Sequence, residues 1–135
     1  MDNFVLNMNE KLYIAPGCVL SENGQCMIYQ GNVRAKDGYQ GISFIHPVTK
    51  RNTSQNAHRI AKMLQNYDEK GSIELGDGDA SHLCHNKTCI RPDHIEIESS
   101  ATNKRRKICI GLQRCTHHPK GDGQFHPDCL LHLRR

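Results

Sequence analysis

Residues 81–94, SHLCHNKTCIRPDH, decide the fold because they place three zinc-type ligands at short spacing: Cys84, Cys89 and His94. Side chains of these types can surround one tetrahedral zinc ion, and a structural zinc site takes four ligands. The fourth ligand therefore comes from elsewhere, and Cys18 and Cys26 are the upstream candidates. We favour Cys26 because it opens a predicted β segment, which zinc would then attach to the cluster.

A second group of zinc-type ligands follows toward the C-terminus: Cys109, Cys115, His117 and Cys129. These residues complete a site without a borrowed ligand. His118 and His126 are rivals of His117, which we prefer for its close Cys-x-His spacing to Cys115. Cysteines are often buried as small apolar residues, but Gly, Pro and Lys surround these cysteines, so the sequence offers no core around them.

The composition supports metal ions as stabilisers of the fold. The chain has 135 residues with four Tyr, three Phe and no Trp, which indicates a single domain with a thin apolar core. Seven cysteines, an odd number, leave one thiol over in a disulfide framework. Zinc is therefore the favoured interpretation, and bound zinc would contribute folding free energy.

The N-terminal sequence and the net charge give only weak information about where in the cell the protein acts. Asp2, Glu10 and Lys11 interrupt the apolar residues near the N-terminus, which argues against a secretory signal. No apolar run is long enough to cross a membrane. We expect an intracellular protein, nuclear if the host is eukaryotic. The net charge of +4 is modest, and basic residues concentrate at 104–107 and at the C-terminus.

Residues 26–48 predict a two-stranded antiparallel ribbon with a turn at 36–38. Such a ribbon fits the DNA major groove, where polar side chains can read base edges. The candidates for this role are Gln30, Asn32, Arg34, Lys36 and Gln40. A solvated sheet face is the alternative interpretation, because half-polar strands are common. Residues 1–25 show no clear pattern.

A helix is predicted after residues 52–54, Asn-Thr-Ser, which offer N-caps. Helical spacing then recurs along one apolar face, made of Ala57, Ile60, Ala61 and Leu64. Gly71 lies past the expected end of the helix. His58 and Arg59 also lie on this helix, and packing or a surface contact is the preferred interpretation of both.

His82 stands two residues before Cys84. Alternation in an extended segment would put both side chains on one face, so that the zinc ligand fixes the position of the histidine. A neutral imidazole suits a general base that removes a proton from water. The alternative is a histidine that supports the zinc site or faces solvent, which is the commoner case for a residue in this position.

One reaction in which such a base activates water is the cleavage of a phosphodiester. That reaction also needs an electrophile, usually a divalent metal such as Mg²⁺, which prefers oxygen ligands. Residues 94–98 predict an extended stretch, and residues 99–107 predict a short capped helix. Within this helix Asn103 offers an amide oxygen, and Lys104 and Arg105 can neutralise phosphates. The basic run 104–107 also fits a nuclear import signal or a solvated helix face.

Taken in order, the β segment with His82, the zinc loop, a second β segment and the helix with Asn103 resemble the His-Cys box homing endonucleases. These enzymes belong to the ββα-metal (His-Me finger) nucleases. The resemblance runs from Ser81 to about His117 and covers SHLCHN, then Cys89, Pro92, His94, Glu98-Ser99, Asn103-Lys104, Cys109, Cys115 and His117.

The resemblance implies an α+β fold over residues 1–135, a small zinc-stabilised ββα-metal domain with an antiparallel β ribbon, few helices and a His-Cys box at 81–129. It makes His82 the general base and Asn103 the sole protein ligand of a catalytic Mg²⁺. Double-stranded DNA is the implied partner, bound by a homodimer on pseudo-palindromic sites. Two structural Zn²⁺ ions are implied, with Cys26, Cys84, Cys89 and His94 as one ligand set and Cys109, Cys115, His117 and Cys129 as the other.

We therefore expect a site-specific DNA endonuclease of the homing type that leaves 5′-phosphate and 3′-hydroxyl ends. The second hypothesis is a non-catalytic zinc-stabilised DNA-binding module, like the DNA-binding domains of Smad proteins, which share this scaffold. A third hypothesis is a zinc-bound protein-interaction domain, which would have no affinity for DNA and therefore no salt-dependent DNA binding. The position of the family's catalytic arginine stays open among Arg34, His46, Lys50 and Arg51.

Overall fold

The computed structural model describes residues 2–71, 78–116 and 127–130. In these residues three helices and three two-stranded antiparallel sheets form an α+β fold, which confirms the fold class expected from the sequence. In chain order the elements are α1 (Asp2–Tyr13), β1 (Cys18–Leu20), β2 (Met27–Tyr29), β3 (Gly41–Ile45), β4 (Asn52–Asn56), α2 (Ala57–Lys70), β5 (Asp79–His82), a 3-10 turn (Pro92–His94), β6 (Ile95–Glu98) and α3 (Ser100–Leu112).

The predicted ribbon over residues 26–48 is divided between two sheets, which corrects the expectation of one hairpin. Strand β2 pairs with β1, and strand β3 pairs with β4. The turn is present, with the Arg34 N–H donating to the Tyr39 carbonyl at 2.8 Å. The other edge of β2 is occupied by residues 88–90 of the loop between β5 and the 3-10 turn, which we call the zinc loop. The Ile90 N–H donates to the Met27 carbonyl, and the Tyr29 N–H donates to the Thr88 carbonyl.

Helix α2 buries the apolar face that its spacing predicts: Ala57, Ile60, Ala61 and Leu64. Gly71 ends the helix with a φ of 72°, as expected. The predicted N-caps at 52–54 are wrong, because these residues pair in β4 with β3 and the helix begins only at Ala57. Their polar side chains belong to a strand, which sequence preference alone disfavours for Asn and Ser.

Helix α1, which the sequence did not predict, packs on α2 and β3 and supplies much of the apolar core. Its contribution consists of Phe4, Val5, Met8 and Leu12, all buried with the α2 face and with Ile42 and Phe44 of β3. The Phe4 and Phe44 rings meet edge to face at 5.1 Å. None of the helices in the described residues is both long and apolar enough to span a membrane.

Strands β5 and β6 and helix α3 form the unit that positions the site. Asp79 pairs with Glu98 at one end of the β5–β6 hairpin, and His82 pairs with Ile95 at the other. The Ser99 side chain caps α3 by accepting a hydrogen bond from the Thr102 N–H at 3.2 Å. This confirms the predicted order of extended stretch and capped helix, and the helix continues further, to Leu112.

Candidate active site and metal centres

Four potential zinc ligands from separate parts of the chain meet in one buried cluster, which we call the first metal group. The donor atoms of Cys26, Cys84, Cys89 and His94 all lie within 4.8 Å of one another. Cys26 precedes β2, while the other members come from the loop after β5 and from the 3-10 turn. The geometry thus brings Cys26 to the group, and Cys18 lies outside it in β1.

The distances in this group fit tetrahedral zinc. Cys26 Sγ and Cys89 Sγ each lie 3.6 Å from His94 Nδ1. A tetrahedral ion with Zn–S of about 2.3 Å and Zn–N of about 2.05 Å separates sulfur from nitrogen by about 3.6 Å. Burial raises the pKa of the Cys26 thiol to about 11, and the neighbouring Cys89 adds to the shift. A divalent cation would reverse this shift, because zinc binds the thiolate.

The second metal group lies at the C-terminal end of α3 and contains Cys109, Cys115 and Cys129. Two backbone amides already point at its sulfur atoms, since the Thr116 N–H donates to Cys109 Sγ at 3.3 Å and the Cys129 N–H to Cys115 Sγ at 3.2 Å. The predicted fourth ligand, His117, lies outside the described residues. Two Cys/His groups therefore fit two structural zinc sites.

A buried ion pair connects the second metal group to the β5–β6 hairpin. Arg106 of α3 is almost fully buried, and its Nε donates to Glu98 Oε2 at 2.7 Å while Nη2 donates to Glu98 Oε1. The remaining Nη1 donates to Cys129 Sγ at 3.2 Å. Although burial disfavours the cation, hydrogen bonds to Glu98 and Cys129 raise the pKa of Arg106. This pair fixes α3 against the strand that precedes it.

The ring of His82 is held by the backbone of a first-group cysteine. His82 Nε2 lies 2.8 Å from the Cys89 carbonyl oxygen, and because a carbonyl only accepts, Nε2 carries the proton. Nδ1 of the neutral ring therefore keeps its lone pair. The expected strand alternation with Cys84 does not apply, because β5 ends at His82 and the chain turns at Leu83. Instead, the zinc loop fixes His82 by the hydrogen bond from Nε2 to the Cys89 carbonyl.

Two further rings stack beside His82. The His58 ring lies 4.1 Å from the His82 ring, and the Tyr39 ring lies 5.4 Å from His58 and 6.2 Å from His82. Burial lowers the pKa of His82 well below its usual value, and the neighbouring His58 contributes. Burial likewise lowers the pKa of His58 to about 4. Both rings are therefore neutral at pH 7, as a general base must be before it accepts a proton.

The side chain of Asn103 lies between two residues of β5. Ser81 Oγ donates to Asn103 Oδ1 at 2.8 Å, and Asn103 Nδ2 donates to Asp79 Oδ2 at 3.3 Å. Asn103 and His82 line the same open pocket, together with Lys107 and Tyr39. A second pocket shares Asn103 and Tyr39 with the first and is lined by Asp79, Arg59 and His58 among others. The two residues expected to act on one phosphate therefore face one cleft.

The residues expected to contact DNA differ in exposure. Six are exposed: Gln30, Asn32, Arg34, Lys36, Lys104 and Arg105. Gln40 is buried, and its Nε2 donates to the Tyr29 carbonyl at 2.6 Å and to the Gly31 carbonyl at 3.0 Å. The expectation that Gln40 reads bases is therefore corrected, because its amide satisfies backbone carbonyls. Arg34 is paired with Asp37 and bonded to Asn56.

Sequence reasoning missed three features of this cleft. Residues 71–80 predict an acidic loop, but Asp79 begins strand β5 and contacts Asn103. His58 is buried, in agreement with the packing interpretation, but the sequence does not predict its contact with the His82 ring. The caps predicted at 52–54 fall in strand β4, whose residues Gln55 and Asn56 line the pocket beside Asn103. A run of five polar residues before an amphipathic helix was the available signal for β4.

Comparison with protein families supplies the identification. The family described as the zinc-binding loop region of homing endonuclease matches residues 22–135, which include both metal groups, His82 and Asn103. The chain belongs to this family. Comparison with curated proteins and with solved structures gives no match. Membership agrees with the His-Cys box resemblance of residues 81–117, and it makes zinc binding and a nuclease function properties of the family to which this chain belongs.

Proposed function

We propose that the protein is a Mg²⁺-dependent, site-specific DNA endonuclease that leaves 5′-phosphate and 3′-hydroxyl ends. The observation that carries this proposal is the shared cleft, in which a neutral His82, fixed by the Cys89 carbonyl, faces Asn103. A non-catalytic DNA-binding module has no use for a buried neutral imidazole that shares a pocket with an Asn amide. Family membership supports the same conclusion.

In the proposed reaction His82 Nδ1 removes a proton from a water molecule as the water oxygen attacks phosphorus. The bond from phosphorus to the 3′ oxygen breaks, its electron pair leaves with that oxygen, and the oxygen takes a proton from solvent water to give the 3′-hydroxyl end. Asn103 Oδ1 suits Mg²⁺ as a hard oxygen ligand, and the ion would stabilise negative charge on the leaving oxygen. The stack of His58 and Tyr39 excludes water from one face of the His82 ring and so keeps it neutral.

We assign DNA reading to the β3–β4 ribbon in place of the segment 26–48. Its outward positions are exposed and mainly polar: Ser43, Ile45, Asn52 and Ser54. Its connecting loop carries Lys50 and Arg51, which can contact phosphates. Strand β4 runs directly into the pocket beside Asn103. Lys104, Arg105 and Lys107 are exposed on α3 and can contact phosphates, and Lys107 lines the pocket that His82 and Asn103 share.

The test is cleavage of supercoiled DNA by zinc-loaded protein with Mg²⁺. We expect nicking or linearisation that EDTA stops, and a loss of at least about 10³-fold in rate for His82→Ala and for Asn103→Ala. Asn66→Ala, on α2 and outside both pockets, is the matched control and should cleave at the wild-type rate. Salt-sensitive DNA binding without cutting by the wild type would instead establish a DNA-binding module, and no DNA affinity would indicate a protein-interaction domain.

Two further properties follow as proposals. A homodimer would match the two-fold symmetry of a pseudo-palindromic site, with one cleft for each strand. Sedimentation of the protein with its DNA site would show two chains per duplex if this is correct, and one chain per duplex would exclude it. Nuclear localisation in a eukaryotic host is consistent with the exposed basic residues at 104, 105 and 107.

A further inference from the structure

The strand before His82 brings a carboxylate to the Asn103 amide. Asp79 Oδ2 accepts from Asn103 Nδ2 at 3.3 Å, and both side chains line the same pocket. The close approach of the hairpin fixes this position, because a Cβ at Gly78 would come within 2.6 Å of the Glu98 carbonyl oxygen. Asp79 and Tyr39 line this pocket together, and the Tyr39 ring lies 6.2 Å from the His82 ring.

We propose that Asp79 is a second protein ligand of the catalytic divalent metal, beside Asn103; this rests on the proposed nuclease function. An amide oxygen alone brings no negative charge to the ion, and charged oxygen ligands raise the affinity for hard cations. In the described residues Asp79 is the sole carboxylate that lines either pocket of the cleft. The other charged residues there, Arg59, Lys87, Arg106 and Lys107, are cationic and cannot serve as ligands.

The hydrogen bonds of Asn103 permit a metal-bound arrangement by rotation of the amide alone. In the structure Nδ2 faces Asp79 and Oδ1 faces the Ser81 hydroxyl. Exchange of the two atoms keeps the Ser81 contact, because a hydroxyl can accept as well as donate. It also places the amide oxygen against the Asp79 carboxylate. Octahedral Mg²⁺ with bonds of about 2.1 Å holds neighbouring oxygens about 3 Å apart, close to the 3.3 Å now between Asn103 Nδ2 and Asp79 Oδ2.

A purely orienting role is the competing explanation. In that role Asp79 would accept a hydrogen bond that fixes the Asn103 amide, and its charge would not matter. Asp79→Asn separates the two roles, because the new amide oxygen can still accept the hydrogen bond while the negative charge is lost. Asp68→Asn on α2, an exposed residue outside both pockets, is the matched control.

The experiment measures Mn²⁺ binding rather than activity. Zinc-loaded protein that carries His82→Ala, bound to a duplex with its cleavage site, is titrated with Mn²⁺, and free Mn²⁺ is followed by electron paramagnetic resonance. We expect the Asn103→Ala and Asp79→Asn changes in this background each to weaken Mn²⁺ binding by about tenfold or more, and Asp68→Asn to have no effect. Zinc content and circular dichroism confirm that each variant is folded.

The outcomes separate this inference from the proposed function. If Asn103→Ala weakens Mn²⁺ binding but Asp79→Asn does not, the metal site stands and Asp79 is not a ligand. If the His82→Ala protein binds no Mn²⁺ and the wild type does not cut DNA, the nuclease proposal fails together with this one. If the wild type cuts DNA, the Asp79→Asn protein should need about tenfold more Mg²⁺ for half-maximal cleavage. It should recover much of its rate at saturating Mg²⁺.

Discussion

The two metal groups differ in burial and in what they hold. All four members of the first group are buried. They come from segments that are far apart in the chain, since Cys26 lies well before Cys84, Cys89 and His94. Cys115 of the second group is only half-buried, and its described members lie at the end of α3 and in residues 127–130. The first group joins the β2 edge to the loop that fixes His82. The comparison indicates that one group supports the active site and the other supports a helix end.

The groups are nevertheless connected. The Leu130 N–H donates to the Leu83 carbonyl at 2.7 Å, one residue before Cys84. Arg106 links Cys129 of the second group to Glu98 of the hairpin that carries His82. Because Asn103 lies one helical turn before Arg106 on α3, anchoring of Arg106 also determines the position of Asn103. Because the first group is fully buried, we expect it to contribute more to stability than the second group.

The largest effect is expected for Cys84→Ser in the first group. Loss of one ligand should release zinc and reduce the free energy of unfolding by about 5 kcal/mol or more, comparable with the stability of a whole small domain. Zinc content should fall by at least one ion per chain, with a large drop in Tm. Cys18→Ser, a half-buried cysteine outside both groups, is the control and should change stability by less than about 1 kcal/mol.

Glu98→Gln should have the next largest effect, because it leaves Arg106 as a buried cation without its carboxylate. Removal of one member of a buried pair costs about 3–5 kcal/mol, which urea unfolding at saturating zinc would measure. Glu96→Gln, at a half-buried position of the same strand, should cost less than about 1 kcal/mol. Equal losses for the two variants would contradict a special role for the Arg106 pair.

Acid should destabilise the region of the first group through His58. Its pKa is about 4 in the folded chain because burial disfavours the charged ring, while the unfolded value is about 6.5. Above pH 6.5 the His58 ring is neutral in both the folded and the unfolded state, so it adds no pH dependence to the free energy of unfolding. Between pH 6.5 and 4 only the unfolded state gains the proton, so stability falls as pH falls, by about 3 kcal/mol in total. His58→Gln should show a shallower pH dependence in chemical unfolding, and an equal slope would contradict this contribution.

The smallest loss is expected for Cys115→Ser in the second group. Because this cysteine is half-buried and lies beyond the C-terminal end of α3, loss of its zinc should cost only about 2 kcal/mol. The protein should keep one zinc ion and retain DNA cleavage at saturating Mg²⁺. A loss as large as that of Cys84→Ser, with abolished cleavage, would show that the two groups are equally important for the active site.

The sequence predicts those parts of the site that depend on local spacing. The spacing of Cys84, Cys89 and His94, the apolar face of α2 and the order from β6 to capped α3 all follow from neighbouring residues, and the structure agrees with each. Cys26 is distant in the sequence, and local spacing leaves Cys18 as its rival. Strand pairing is not local. Strand β2 pairs with β1 because its other edge is taken by the zinc loop, a partner some sixty residues away in the chain.

Tertiary contacts likewise explain what the sequence could not show about individual side chains. Gln40 has the composition of a DNA-reading residue, but its amide satisfies the carbonyls of Tyr29 and Gly31. His58 packs in the interior as its position indicates, but its partner there, the His82 ring, belongs to a separate element. Asp79 meets Asn103 only because β5 lies beside α3. Each of these contacts joins residues that are distant in the sequence.

The most direct test of the claim that the first metal group presents a neutral His82 with a bare Nδ1 is the tautomer of that ring. Long-range ¹H–¹⁵N NMR of zinc-loaded protein at pH 7, with His82→Gln to assign the signals, should show a proton on Nε2 and none on Nδ1. A proton on Nδ1 alone would contradict the hydrogen bond to Cys89, and protons on both nitrogens would contradict the neutral ring; either result would exclude His82 as the general base.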